Sequence, residues 1–157
     1  MSAPDLHQAA KTVIDLIPLP EGVHVVDVGC GARPGVMVTG VDPVEQQLDL
    51  ARAEALARDL EITFVRGGAA VMPLPDGCAD VVLSIFGLVS APDPVAVAAE
   101  LARITAPRGC LVMAMGLQVE GCFPWHDRDT VAELLKPHGF EVSAEPRARY
   151  VVIIARR

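Results

Sequence analysis

Val25-Val26-Asp27-Val28-Gly29-Cys30-Gly31-Ala32-Arg33-Pro34-Gly35 is the stretch whose reading decides the fold. The apolar run from His24 to Val28 lies between Gly22 and Gly29 and reads as a buried strand. The glycines behind it form a turn that can bring backbone close to a ligand. In an open α/β sheet such a turn stands at the carboxyl ends of the strands, beside the switch point in strand order. A dinucleotide fingerprint needs G-x-G-x-x-G and an acid about 20 residues on. Here Gly35 follows Gly29 by six positions instead of five, and Asp42 follows it by thirteen. The spacing argues against a nicotinamide dinucleotide site.

Outward from this turn, strands and helices alternate. On the amino side, Leu6, Ala10, Val13, Ile14 and Ile17 recur at helical spacing until Pro18 and Pro20 stop the pattern. On the carboxyl side, Val36 to Val41 reads as the second strand. A helix follows in which Val44, Leu48, Ala51 and Ala55 share a face. Ile62 to Val65 is the third strand, and Ala79 to Leu83 the fourth, after a turn at Pro75-Asp76-Gly77. Asp93-Pro94 starts a helix through Val97, Leu101 and Ile104, and Pro107-Arg108-Gly109 turns into a fifth strand at Cys110 to Met115. The last helix, Asp129 to His138, ends at Gly139, and Phe140 to Ala144 and Tyr150 to Ala155 complete seven strands. This pattern predicts an α/β fold with a Rossmann-like, seven-stranded, mainly parallel sheet, an antiparallel edge hairpin and helices on both faces.

A chain of 157 residues suits one domain spanning 1–157, with no separate substrate domain. At 52% hydrophobic and 21% charged it is too apolar to be disordered. The formal net charge of −7 disfavours nucleic acid, and Arg147/Arg149 and Arg156-Arg157 read as solvated strand ends. The first residues lack the apolar core of a signal peptide, and no run is long enough for a membrane span, so a cytoplasmic protein is expected. Cys30, Cys78, Cys110 and Cys122 form no C-x-x-C pair, which predicts reduced, mostly buried thiols and no metal site. Asn is absent, which excludes any motif built on it.

Read together, Val25-Val26-Asp27-Val28-Gly29-Cys30-Gly31, Gly40-Val41-Asp42-Pro43, Phe64-Val65-Arg66-Gly67, Met72-Pro73-Leu74-Pro75-Asp76-Gly77, Asp80 to Ser84, Pro92-Asp93-Pro94, Pro107-Arg108-Gly109 and His138-Gly139-Phe140 resemble the class I S-adenosylmethionine-dependent methyltransferases. The resemblance implies S-adenosyl-L-methionine as cofactor. It assigns Gly29, Cys30 and Gly31 to the turn against its methionine part, and Asp42-Pro43 to the ribose hydroxyls. Gly68 and Ala69 fall to the adenine, and Ser84, Ile85 and Phe86 to the boundary with the methyl acceptor.

Several of these residues have structural rivals. Asp42, Pro43 and Glu45 also fit a helix start, as N-cap, N1 and N3. Asp27, an acid in an apolar strand, either holds the turn's N–H groups or meets the cofactor. Asp80 and Cys30 read as structural. Phe123 and Trp125 either wall an acceptor pocket or pack on the sheet edge. His126 is a candidate general base, or a loop residue beside a capping acid. Two departures from the family stand out: the link between Asp27 and Asp42 is too short for the usual crossover helix, and Gly68 stands where relatives carry an acid for the adenine amino group.

The expectation is a small methyltransferase acting on a small-molecule or carrier-presented acceptor in a rather open cleft. That cleft is covered by the N-terminal helix or by another chain, in a homodimer or with a partner subunit. The alternative is a catalytically inactive methyltransferase-fold binding module or partner subunit. A third is the same fold turned to another reaction, such as cyclisation.

Overall fold

A computed structural model describes residues 11–13, 15–17, 19, 21–29, 37–88, 91, 93–116, 127–148 and 150–157. Seven strands form one sheet: β1 (His24–Val28), β2 (Met37–Asp42), β3 (Ile62–Arg66), β4 (Ala79–Ile85), β5 (Thr105–Gly116), β6 (Glu141–Pro146) and β7 (Tyr150–Arg156). Their order is β3-β2-β1-β4-β5-β7-β6. The first five pair in parallel, and β7 runs antiparallel between β5 and β6. The predicted architecture is therefore the observed one, with the closing hairpin at one edge.

Three helices are described from end to end: α1 (Glu45–Ala57), α2 (Pro94–Ile104) and α3 (Arg128–Leu135); Lys11 to Val13 and Asp15, within the predicted N-terminal helix, are also helical. On one face of the sheet, Val26, Val28, Val82, Leu111, Met113 and Ile153 pack against Val97, Leu101 and Ile104 of α2 and Val131 and Leu135 of α3. Val25, Val81, Leu83, Val112 and Ile154 form the core of the opposite face, where Val13, Leu16 and Ile17 cover them. Because β1 and β4 are central strands with apolar side chains on both faces, their runs are continuous and not alternating. Each such aliphatic side chain contributes about 1.5–3 kcal/mol when fully buried.

Element ends differ from the sequence reading where local hydrogen bonding decides them. Asp42 is not the cap of α1. Its Oδ1 accepts from the Val44 N–H at 2.8 Å, an Asx turn, and α1 begins at Glu45 with Val44 as a cap that lacks a side-chain bond. Val44 is consequently 44% exposed, off the buried face formed by Leu48 and Ala55. In α2, by contrast, Asp93 accepts from the N–H groups of Val95 and Ala96 with Pro94 in the first turn, as predicted. Asp127 likewise accepts from the Thr130 N–H at 2.9 Å. The last helix tightens to a 3₁₀ turn at Lys136–His138, where Pro137 has no N–H to give, and Gly139 closes it at φ 83°.

β5 begins at Thr105, five residues before the predicted start. Its register against β4 shifts between Ala79 and Val81, so the Pro107-Arg108-Gly109 turn is an irregularity inside the strand. Arg108 there has φ 71°. At the amino ends of the strands, Asp80 Oδ2 accepts from the His24 N–H at 3.0 Å, the structural role expected of it. The Cys78 carbonyl can only accept, so His24 Nδ1 carries the proton to it at 2.7 Å and Nε2 accepts from the Thr39 hydroxyl at 2.8 Å.

Two further expectations need correction. Arg157 is not simply a solvated strand end: its guanidinium donates to the Ala102 and Thr105 carbonyls and lies 5.7 Å from the Phe140 ring centre. Cys78 and Cys110 are free thiols, and both are half-buried where mostly buried thiols are expected. Partial burial pushes both thiols above their ordinary pKa, so neither is an activated nucleophile. No helix among the described residues is long and apolar enough to cross a membrane.

Candidate functional site

β1 is the strand at which chain order reverses, with β2 and β3 on one side and β4 and β5 on the other. Its carboxyl end is therefore the switch point. Val28 pairs with Val41, and Asp27 with Leu83. One step further, Gly29 stands between Asp42 on β2 and Ile85 on β4. The sheet thus gathers Asp27, Gly29, Asp42, Pro43, Gly68, Ala69, Ser84, Ile85 and Phe86 along one edge.

The turn after β1 is shaped by a contact that sequence reading missed. Gly29 has φ 88°, and its N–H donates to the Val41 carbonyl at 2.9 Å. A Cβ on Gly29 would lie 2.7 Å from the Gly87 Cα, and a Cβ on Gly87 would lie 2.3 Å from the Val28 carbonyl oxygen. The backbones leaving β1 and β4 therefore touch, and both residues must be glycine. The Ser84 hydroxyl reinforces the contact by donating to the Val28 carbonyl at 3.0 Å. Ser84 is 2% exposed, so its side chain is a tie between strands and not a wall of the cleft, contrary to the sequence reading. No periodicity signalled Gly87; its only trace was its place directly after Phe86.

Asp42 has the geometry of a ligand acceptor. Its Oδ1 is held by Val44, and its backbone carbonyl accepts from the Gly67 N–H at 3.1 Å. Oδ2 takes no hydrogen bond among the described residues. Arg66 pairs with Asp42 across the β2–β3 ladder and donates from Nε to the Pro43 carbonyl at 3.3 Å. Asp27 is buried at 6% exposure, within β1 between Gly40 and Leu83.

Beyond β3, Gly68 and Val71 form an isolated bridge, with the Val71 N–H donating to the Gly68 carbonyl at 3.0 Å. Ala69 is half-buried against the core cluster of α2 and α3. Among the described residues, a Cβ at Gly68 would meet nothing within 4 Å.

β4 continues through Ile85, two residues past its predicted end, because Ser84 and Ile85 pair with Met113 and Ala114. Phe86 follows with φ 59°, a conformation uncommon for a bulky side chain, and its N–H donates to the Ala114 carbonyl at 3.0 Å. Its ring meets that of Tyr150 edge-on, centres 6.2 Å apart at 84°. Tyr150 opens β7 opposite Gly116, so both rings stand at the carboxyl edge. Cys30, Gly31, Phe123, Trp125 and His126 lie outside the described residues.

The class defined by this arrangement is an open α/β sheet with a candidate site at its switch point. The chain belongs to the methyltransferase-domain family, whose model matches residues 26–113, from β1 into β5. It is 40% identical over 80 residues to the demethylmenaquinone methyltransferase of Thermus thermophilus, covering 51% of this chain and 36% of that protein. It is 36% identical over 112 residues to the nocamycin O-methyltransferase of Saccharothrix syringae, covering 64% and 40% respectively. The alignments thus span well under half the length of these curated relatives. Among solved structures, the methyltransferase in complex with the Trm112 methyltransferase activator of Haloferax volcanii superposes with TM-score 0.83. It shares 19% identity, with 98% of this chain and 90% of that chain covered.

Proposed function

We propose that this chain is an S-adenosyl-L-methionine-dependent methyltransferase acting on a small-molecule or carrier-presented acceptor. The observation that carries the reading is Asp42: a carboxylate oriented by Val44, with Oδ2 taking no hydrogen bond among the described residues, one strand away from the Gly29 turn at the switch point. An acceptor-only group there suits the two hydroxyls of a ribose. Membership of the methyltransferase-domain family and the named activities of the relatives support the same conclusion.

In this reading Gly29, Cys30 and Gly31 hold the methionine part, with Asp27 beneath them. Asp42 and Pro43 hold the ribose, and Gly68 and Ala69 border the adenine. Ile85 and Phe86 border the acceptor, while Ser84 supports them from below by its bond to Val28, and Phe123 and Trp125 are candidate wall residues. His126 is the candidate base. When bound, the cofactor supplies a methyl group on a sulfonium sulfur. The protein's part is to align the acceptor in line with it and to exclude water. Calorimetry with S-adenosylmethionine and S-adenosylhomocysteine tests the reading, and no binding of either at millimolar ligand overturns it.

Gly68 in the place of an acid favours a second reading, a methyltransferase-fold binding module or partner subunit. The Haloferax volcanii structure, which shares the fold, is itself a complex with a second chain. This second reading predicts a stable complex or dimer that covers the cleft. A strictly monomeric protein with robust turnover excludes it.

A further inference from the structure

Between β3 and β4 the chain runs through Gly67 to Cys78 with little backbone structure of its own. The Gly68–Val71 bridge and a Leu74 N–H to Met72 carbonyl bond at 2.8 Å are its internal supports. Its shape is set from outside by two side chains of α2. Arg103 donates from Nε to Glu100 Oε2 at 2.7 Å and from one terminal nitrogen to Glu100 Oε1 at 2.8 Å and the Met72 carbonyl at 3.0 Å. The other terminal nitrogen donates to the Leu74 carbonyl at 2.8 Å and to Asp76 Oδ1 at 2.6 Å. All five guanidinium N–H donors are engaged, which only a planar fork can do. Glu100 Oε1 also accepts from the Met72 N–H, so the pair takes both backbone polar groups of Met72.

The Glu100 side chain is sheltered, at 12% exposure, while Arg103 is partly open at 31% and Asp76 lies at the surface. The Arg103 guanidinium holds the Glu100 carboxyl below its ordinary value against the opposing effect of burial. Gly68 and Ala69 are thereby bracketed: Gly67 is tied to the Asp42 carbonyl on one side, and Met72 to the Glu100–Arg103 pair on the other. We infer that Glu100 and Arg103 are positioning residues that act through the 67–74 loop, holding it in the form that receives the adenine end of the cofactor. The inference rests on the methyltransferase reading for the identity of the ligand, and on geometry alone for the loop.

Two measurements on Arg103→Ala, Arg103→Lys and Glu100→Gln test it: amide hydrogen exchange, and affinity for S-adenosylhomocysteine and adenosine. In Arg103→Ala, exchange across residues 67–74 is expected to accelerate at least tenfold while β5 and β7 keep their protection. Both dissociation constants are expected to rise about tenfold or more. Arg103→Lys, which keeps the charge but not the fork, falls short of wild type in both measurements. Glu100→Gln, which keeps an acceptor for Met72, is partly rescued. If Arg103→Ala does not fold, the other two variants carry the comparison. Unchanged exchange in the loop overturns the clamp whatever the wild type binds. Faster exchange with unchanged affinity overturns its role toward the ligand. A wild-type chain that binds neither ligand overturns the methyltransferase reading and the ligand half of the inference, while exchange still judges the loop.

Discussion

A Cβ placed on Gly29 falls 2.7 Å from the Cα of Gly87, so the turns leaving β1 and β4 are in backbone contact. The reciprocal clash is worse, since a Cβ on Gly87 comes within 2.3 Å of the Val28 carbonyl oxygen. Gly87→Ala is therefore expected to force the two strand ends apart. Overpacking of this kind costs about 1–3 kcal/mol, or roughly 3–10 °C in Tm for a domain of this size. Thermal unfolding by circular dichroism checks it. An unaltered Tm would show that the two turns separate freely.

Asp42 has two roles that substitution separates. Asp42→Ala removes the Asx turn on Val44, at a cost of about 0.5–2 kcal/mol by analogy with lost helix caps. It also removes the proposed ribose acceptor, so S-adenosylhomocysteine should bind at least tenfold more weakly. Asp42→Asn keeps an oxygen for Val44 but loses the charge, and should weaken binding while largely sparing stability. Equal affinity in all three proteins would restrict Asp42 to holding the turn.

Gly68 invites a gain of function. Among the described residues a Cβ there meets nothing within 4 Å, so Gly68→Asp should fold about as well as wild type. If it supplies a charge-assisted bond to the adenine amino group, about 1.5–3 kcal/mol, affinity for S-adenosylhomocysteine rises roughly ten- to a hundredfold. Titration calorimetry measures this, and weaker binding would place the adenine elsewhere.

The Glu100 carboxyl gives stability a pH dependence of known sign. Hydrogen bonding to Arg103 lowers its folded value below the ordinary 4.5, so its contribution is present above about pH 4.5 and is lost as pH falls through the folded value. The difference in urea midpoint between wild type and Glu100→Gln should be steady from pH 7 to 5 and shrink below 4.5. A gap that persists unchanged to pH 3, well under that 4.5, would mean that the charge is not its source.

Much of the fold was legible because its signals are local. The apolar runs of β1 and β4, the Asp93-Pro94 start of α2 and the Gly139 stop are each settled within a few residues, where strand period and cap chemistry act. The strand-end positions of Gly29 and Asp42 followed from the motif order. Errors arose where a residue had two local partners to choose from, as when Asp42 bonded Val44 at i+2 and not Glu45 at i+3. They also arose where a side chain was used for tertiary contact, as with Ser84 and Arg157.

By itself, then, the sequence determined which segments are strands and helices, and that Gly29 and Asp42 stand at strand ends, though not where β4 stops or β5 starts. The tertiary structure decided what those ends touch. The Ser84 bond to Val28 spans 56 residues and the Arg103 bond to Met72 spans 31. Local periodicity carries no information over such distances, because strand pairing and helix docking bring the partners together only once the sheet has formed. The tight turn at Gly29 was foreseen from one strand alone. The need for a second glycine at Gly87 exists only because β4 lies beside β1.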